Sequence, residues 1–236
     1  MSAAANAAAL GSVTAAKNPR DFVRANTALI APPLVPELKL HLASEAIALW
    51  QATEAELEAS GLPPPYWAFA WAGGQALSRY LLDTPGLVAG KRVLDFAAGS
   101  ALQGLAARKA GAAQVTASEV DDFAAAAVRL NAEANGLALE LARDDLLGHA
   151  PEPERYDVVL AGDVCYERPM AERAFAWLQA YATAGTLVLL GDPGRAYLPK
   201  AGLEELARYQ VPVSRDLEDR EIRDTRVYRV VGQRAP

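Results

Sequence analysis

The chain has 236 residues, 52% hydrophobic and 22% charged, with a formal charge of −6 and a pI near 5.1. That is ample material for one large α/β domain, and the acidity removes any bulk electrostatic case for a nucleic-acid partner. A single cysteine, Cys165, and two histidines, His41 and His149, exclude a disulfide framework and a multi-cysteine or histidine-rich metal centre.

The first twenty residues are alanine-rich and carry basic residues only at Lys17 and Arg20, unlike a secretory leader. Residues 1–35 are expected to be a flexible lead-in to a single domain over 36–236. No apolar run reaches the roughly 18–20 residues of a membrane helix, so a cytoplasmic protein is expected. Over 36–60, Leu38, Leu42, Ile47, Leu49 and Leu57 predict a helix, closed by Gly61 and the Pro63-Pro64-Pro65 run. A second helix is predicted over 74–82.

From Lys91 the pattern changes to short apolar strands at 92–96, 114–119, 137–142, 156–162 and 186–191. Helices are predicted between most of them, at 101–110, 121–135 and 168–182; only the 142–155 connection lacks one. Such alternation implies a parallel sheet with right-handed crossovers and helices on both faces. The tail predicts a helix over 200–209, then strands at 211–216 and 225–231 forming an antiparallel pair at one edge. The expected fold is α/β, a doubly wound, Rossmann-like, seven-stranded sheet with an antiparallel C-terminal hairpin.

The most informative segment follows the first of these strands. Asp95-Phe-Ala97-Ala-Gly99-Ser-Ala101 places an acid before three small residues at alternate positions, leading into a helix. Small residues let a ligand approach the backbone, and the helix start offers unpaired N–H groups. In open α/β sheets ligands bind at this end of the strands. A dinucleotide fingerprint counted from Ala97 would need glycine at 102, which is leucine, and no phosphate loop is present. The same residues would also serve a plain strand-to-helix turn.

The next strand ends at Glu119, 20 positions beyond Gly99, near the spacing at which an acid accepts from ribose hydroxyls. Asp121 suits the N-cap of the following helix. Asp144, after the third strand, fits either an acceptor for an adenine amino group or a solvated turn.

The relaxed Ala97-x-Gly99-x-Ala101 turn resembles the first motif of class I, seven-β-strand S-adenosylmethionine methyltransferases. Asp163-x-x-Tyr166 resembles the substrate-side motif of the lysine methyltransferases among them. Pro64-Pro-Tyr-Trp67-Ala-Phe69-Ala-Trp71-Ala-Gly73-Gly74 and Gly191-Asp-Pro-Gly-Arg195 look like the electron transfer flavoprotein β-subunit lysine methyltransferase group. Together these span roughly residues 62–230. The resemblance implies S-adenosylmethionine as cofactor, held by Trp71, Gly73, Asp95, Ala97, Gly99, Glu119, Asp144 and Asp163. It implies catalysis at Asp163 and Tyr166, with a protein lysine as acceptor and that flavoprotein subunit as the candidate partner. Two glycines of the usual first motif are alanines here, each adding a methyl group beside the backbone. A small-molecule N-methyltransferase and a non-catalytic nucleoside- or partner-binding module of the same fold stand as the alternatives.

Among the remaining residues, Trp67, Phe69 and Trp71 can close over a cofactor by cation–π contact or pack against the core. Cys165 has no histidine placed by sequence to activate it and reads as a small buried residue.

Overall fold

The computed structural model describes residues 18–44, 64–214 and 221–233. Asn18 caps a short helix, α1 (Pro19–Ala25), accepting from the Arg20 N–H at 2.9 Å, with proline in the first turn. Phe22 turns inward and meets the rings of Trp67 and Phe123 at centroid distances of 6.5 and 4.6 Å. Strands β1 (Ala28–Ile30) and β2 (Leu40–Leu42) pair antiparallel, with Ala28 opposite Leu42.

The helix expected over 36–60 is absent from its described part, 36–44; the rest lies outside the described residues. Leu38, Leu40 and Leu42 are all buried, so a period of two prevails over the helical 38/42 spacing. Asparagine side chains fix this segment. The His41 N–H donates to Asn131 Oδ1 at 2.7 Å, and Asn135 bonds both the N–H and the carbonyl of Lys39.

The remaining elements are α2 (Ala72–Asp83), β3 (Arg92–Phe96), α3 (Leu102–Lys109), β4 (Gln114–Ser118), α4 (Asp122–Asn135), β5 (Glu140–Ala142), β6 (Val158–Gly162), α5 (Arg168–Thr183), β7 (Leu187–Asp192), β8 (Leu203–Pro212) and β9 (Ile222–Val230). The large sheet runs β5-β4-β3-β6-β7-β9-β8. Its first five strands are parallel, and β9 inserts antiparallel between β7 and β8, as expected. Between β5 and β6 there is only a 3-10 turn, Leu146–Gly148. The chain leaves β3 toward β4 and β5, then crosses back to β6, so the order reverses between β3 and β6. At such a switch point the crossovers diverge and leave a crevice at the strands' C-terminal ends.

Strand alternation sorts the core into two faces. Leu94, Val159, Ala161, Val188 and Leu190 pack with Trp177, Leu178 and Tyr181 of α5, whereas Val93, Leu160 and Leu189 pack with Leu77 and Leu81 of α2. Helix α4 starts where expected: Asp121 Oδ1 accepts from the Ala124 N–H at 2.7 Å, and Gly136 ends it in the left-handed region.

The tail corrects the predicted helix over 200–209. Those residues lie largely in β8, paired with β9 from Leu203–Val230 to Pro212–Ile222. A bulge between Glu205 and Ala207 makes Leu206 the extra residue. Leu203, Leu206 and Ala207 then fall at i, i+3 and i+4, the spacing of a helix, although they serve a strand. Among the described residues no helix is long and apolar enough to cross a membrane.

Candidate active site

The crevice at the switch point is a cavity of about 600 Å³. Its floor is the turn after β3. Ala97, Gly99 and Ala101 all adopt left-handed backbone, with φ of 50°, 53° and 60°. Three such residues at alternate positions curl the chain tightly enough for Ala98, Gly99 and Ser100 to line the cavity before α3 begins. For the two alanines this backbone is strained, because Cβ crowds the following carbonyl.

Glu119 stands at one side. Its carboxylate accepts from the N–H groups of Gly99 at 3.0 Å, Val120 at 2.8 Å and Asp121 at 3.1 Å, tying the two turns together. Burial pushes its carboxyl upward, and the three donors oppose that by favouring the charged form.

Asp95 and Asp144, both expected at the cofactor, do not line the cavity. Asp95 shares its strand face with Val93 and turns beneath the turn, fully buried, where Oδ2 accepts from the Gly104 N–H at 2.8 Å. A Cβ at Gly104 would crowd that carboxyl, so the glycine and the acid are fitted to each other. Burial pushes Asp95 up to about 8, which keeps it protonated at neutral pH. Asp144 lies exposed two residues beyond β5.

The opposite side of the cavity gathers residues far apart in the chain. Asp163, in left-handed backbone with φ 57°, accepts at Oδ2 from the Gly74 N–H at 3.0 Å. At Oδ1 it accepts from Arg195 Nε at 3.1 Å and Nη2 at 2.7 Å. The Arg195 guanidinium lies over the Trp71 ring, 5.5 Å from its centroid. The Trp71 indole donates to the Tyr66 carbonyl at 2.8 Å and packs against the rings of Phe69 and Tyr66. Tyr66 and Tyr166, both 45% exposed, meet at 5.4 Å and form the rim. Gly73 does not line the cavity; it lets α2 approach β7 and Asp163 closely. Trp67 does both jobs, lining the cavity while buried in the cluster around Phe22 and Leu130.

Arg195 and Gln103 are the long polar side chains of the cavity wall that carried no role in the sequence. Arg195 lay inside the Gly191–Arg195 motif, and Gln103, 5% exposed, in the first turn of α3. The motifs marked their neighbourhoods but not which side chains face inward.

With this geometry in place, the chain can be set beside known proteins. Residues 75–165 match the family described as ribosomal protein L11 methyltransferase (PrmA). The electron transfer flavoprotein beta subunit lysine methyltransferase of Danio rerio is 37% identical over 217 residues, covering 89% of this chain and 82% of the relative. The chain belongs to the electron transfer flavoprotein β-subunit lysine methyltransferase family. The Homo sapiens member is 38% identical over 180 residues, covering 74% of this chain and 66% of its own length. The fold agrees: magnesium protoporphyrin IX methyltransferase (ChlM) of Synechocystis PCC 6803 superposes with a TM-score of 0.50 at 18% identity, over 78% of this chain and 86% of that one.

In this methyltransferase Cys165 is no nucleophile. It is 1% exposed, and burial, with Asp192 and Asp163 nearby, pushes its thiol up to about 12. Asp192 is fully buried. Its Oδ1 accepts from the N–H groups of Gly194 at 2.6 Å and Arg195 at 2.7 Å, which fixes the turn that presents Arg195.

Proposed function

We propose that this methyltransferase transfers a methyl group from S-adenosylmethionine to a lysine side-chain nitrogen of a protein, with the electron transfer flavoprotein β subunit as acceptor. The observation that carries the reading is the cavity itself. It lies at the switch point, with the Glu119 carboxylate on one side and the Asp163–Arg195–Trp71 group on the other. The names of the relatives supply the acceptor.

The residues present fit the cofactor. A cavity of about 600 Å³ is in the range that takes a nucleoside joined to an amino acid. Gly99 and Gly74 expose backbone along its wall where side chains would fill it. Glu119 would accept from ribose hydroxyls, since a carboxylate has lone pairs beyond the three N–H bonds it receives. Asp163 brings negative charge to the wall. Bound there, the cofactor supplies an electrophilic methyl group on a cationic sulfur.

The remaining work falls to the chain's own groups. The acceptor amine attacks only when neutral, and a free lysine has a pKa of about 10.4. The rings of Tyr66, Trp71 and Tyr166 give an apolar entry that favours the neutral amine, while their exposed edges leave solvent at hand to take the proton. Orientation then carries much of the rate. Asp163 is suited to it, because Gly74 and Arg195 hold its carboxylate in one position. The net charge of −6 gives no bulk electrostatic reason to expect a nucleic-acid acceptor.

Calorimetry tests the cofactor. S-adenosylhomocysteine is expected to bind with affinity in the micromolar range and NAD not to bind comparably. Glu119→Ala is expected to weaken binding by about 1–3 kcal/mol, the scale of hydrogen bonds to a charged group. Unchanged affinity in that variant would remove Glu119 from the ribose role.

A further inference from the structure

The apolar surface around the cavity mouth does not stop at the cavity lining. Among the described residues seven large apolar side chains stand exposed, and four of them gather here: Tyr66, Val120, Tyr166 and Tyr197. The first three line the cavity; Tyr197 lies outside it. The Tyr197 N–H donates to the Cys165 carbonyl at 3.3 Å, which sets its backbone beside Tyr166. Apolar groups gathered on a surface, rather than scattered singly, mark a place that another molecule covers.

Arg168 adds a charge to this face. Its guanidinium lies over the Tyr197 ring, 5.3 Å from the centroid, and among the described residues no carboxylate pairs with it. Arg168 is also the first residue of α5, where the positive end of the helix dipole disfavours a cation, and the first turn holds no acid to offset it. Helix stability alone would place an acid there. Met170, two residues on, lines the cavity, so α5 begins at the mouth.

A small amine would enter the cavity and touch neither Tyr197 nor Arg168. A folded protein presenting a lysine would cover both, because the surface around that lysine must lie against the rim. Tyrosine and arginine are residue types in which interfaces concentrate binding energy. The tyrosine rings suit an apolar side chain, and a guanidinium held over a ring keeps N–H groups for a carboxylate. Arg143, on the Val120 side of the mouth, is instead bonded already to the Val120 carbonyl and to Asp122.

We propose that Tyr197 and Arg168, with the rim tyrosines Tyr66 and Tyr166, form a docking surface for the protein acceptor, taking an apolar and an acidic side chain that flank its target lysine. The proposal rests on the protein-lysine reading above.

Steady-state methylation of purified electron transfer flavoprotein β subunit, with S-adenosylmethionine saturating, tests it. Arg168→Glu is expected to raise KM for the subunit by at least about tenfold, the scale of a lost interface anchor, and to leave kcat within about twofold. The substitution puts an acid in the first turn of a helix, so the variant is expected to fold. Tyr197→Ser is expected to act in the same direction, and Tyr197→Phe, which keeps the ring, to stay near the unaltered protein. Calorimetry is expected to show S-adenosylhomocysteine affinity unchanged in these variants, because neither residue lines the cavity. An unchanged KM in Arg168→Glu and Tyr197→Ser would overturn the proposal, as would a loss of kcat or of cofactor affinity in place of the KM change. Dissociation of a dimer by these variants would mark the face as a contact between two copies of the chain and equally overturn it. If the unaltered protein binds S-adenosylhomocysteine but leaves the subunit unmethylated, the acceptor reading fails and takes this proposal with it.

Discussion

Gly73 and Gly191 meet backbone to backbone where α2 crosses the end of β7. A Cβ built on either would fall on the carbonyl oxygen of the other. The approach also brings Gly74 to Asp163, so the site's geometry depends on it. Neither carbonyl is a flexible group that can swing aside. Gly73→Ala is therefore expected to lose at least about 1–3 kcal/mol by overpacking, read from urea denaturation. Gly86→Ala, with open space around it, is expected to stay within about 0.5 kcal/mol. Equal stability of the two variants would contradict the close approach.

The alanines at 97 and 101 differ in what glycine would do for them. Both hold left-handed backbone, which costs a residue with a Cβ roughly 1–2 kcal/mol. Ala97 is only half-buried, so Ala97→Gly is expected to gain about 0.5–1 kcal/mol after the added freedom of the unfolded chain. Ala101 is fully buried, and losing its methyl forfeits about 0.8 kcal/mol, so Ala101→Gly is expected near zero. Destabilisation by Ala97→Gly would show that the turn is not strained there.

Asp95 makes stability depend on pH. Its folded pKa is raised to about 8 by burial, partly opposed by the Gly104 N–H, whereas an unfolded aspartate titrates near 3.9. Between those values the folded chain holds a proton that the unfolded chain releases. The stabilisation is full below the unfolded value, declines as pH rises toward about 8, and is gone above it. Asp95→Asn has no proton to lose. Denaturation at pH 5 and pH 8 is expected to move in the variant's favour by more than about 1.4 kcal/mol, one pKa unit's worth. A difference independent of pH would mean that the carboxyl is ionised throughout.

Much of the sheet was legible because β6 and β7 are covered on both faces and read as nearly continuous apolar runs, with β3 and β4 set between predicted helices. The place of Glu119 at the cavity was legible by spacing, and Asp121 as a helix cap by its place before a helix. Burial of Asp95 was harder to see, since an acid at a strand's end can face either the crevice or the layer below. The clue was parity with Val93, together with Gly104 leaving room. Arg195 was beyond reach of any local pattern. Its place in the cavity wall arises where the turn after β7 meets Trp71, 124 positions earlier in the chain. In β8 the signal misled, because one bulge converted a strand's spacing into a helix's.

Asp163 is the residue on which turnover is expected to depend most. With saturating S-adenosylmethionine, Asp163→Ala is expected to cut single-turnover methylation by at least about 100-fold, roughly 2.7 kcal/mol of transition-state stabilisation. Tyr166→Phe is expected to lose less, because that ring stands at the rim and is 45% exposed. Melting curves would confirm that both variants fold. Full activity in Asp163→Ala would sink the assignment of this residue.

The most direct measurement is the intact mass of purified electron transfer flavoprotein β subunit after incubation with this protein and S-adenosylmethionine. The expected result is a gain of one or more whole methyl groups, located on lysine by peptide mapping and abolished without the cofactor. An unmodified subunit, from a preparation that binds S-adenosylhomocysteine, would contradict the proposed acceptor.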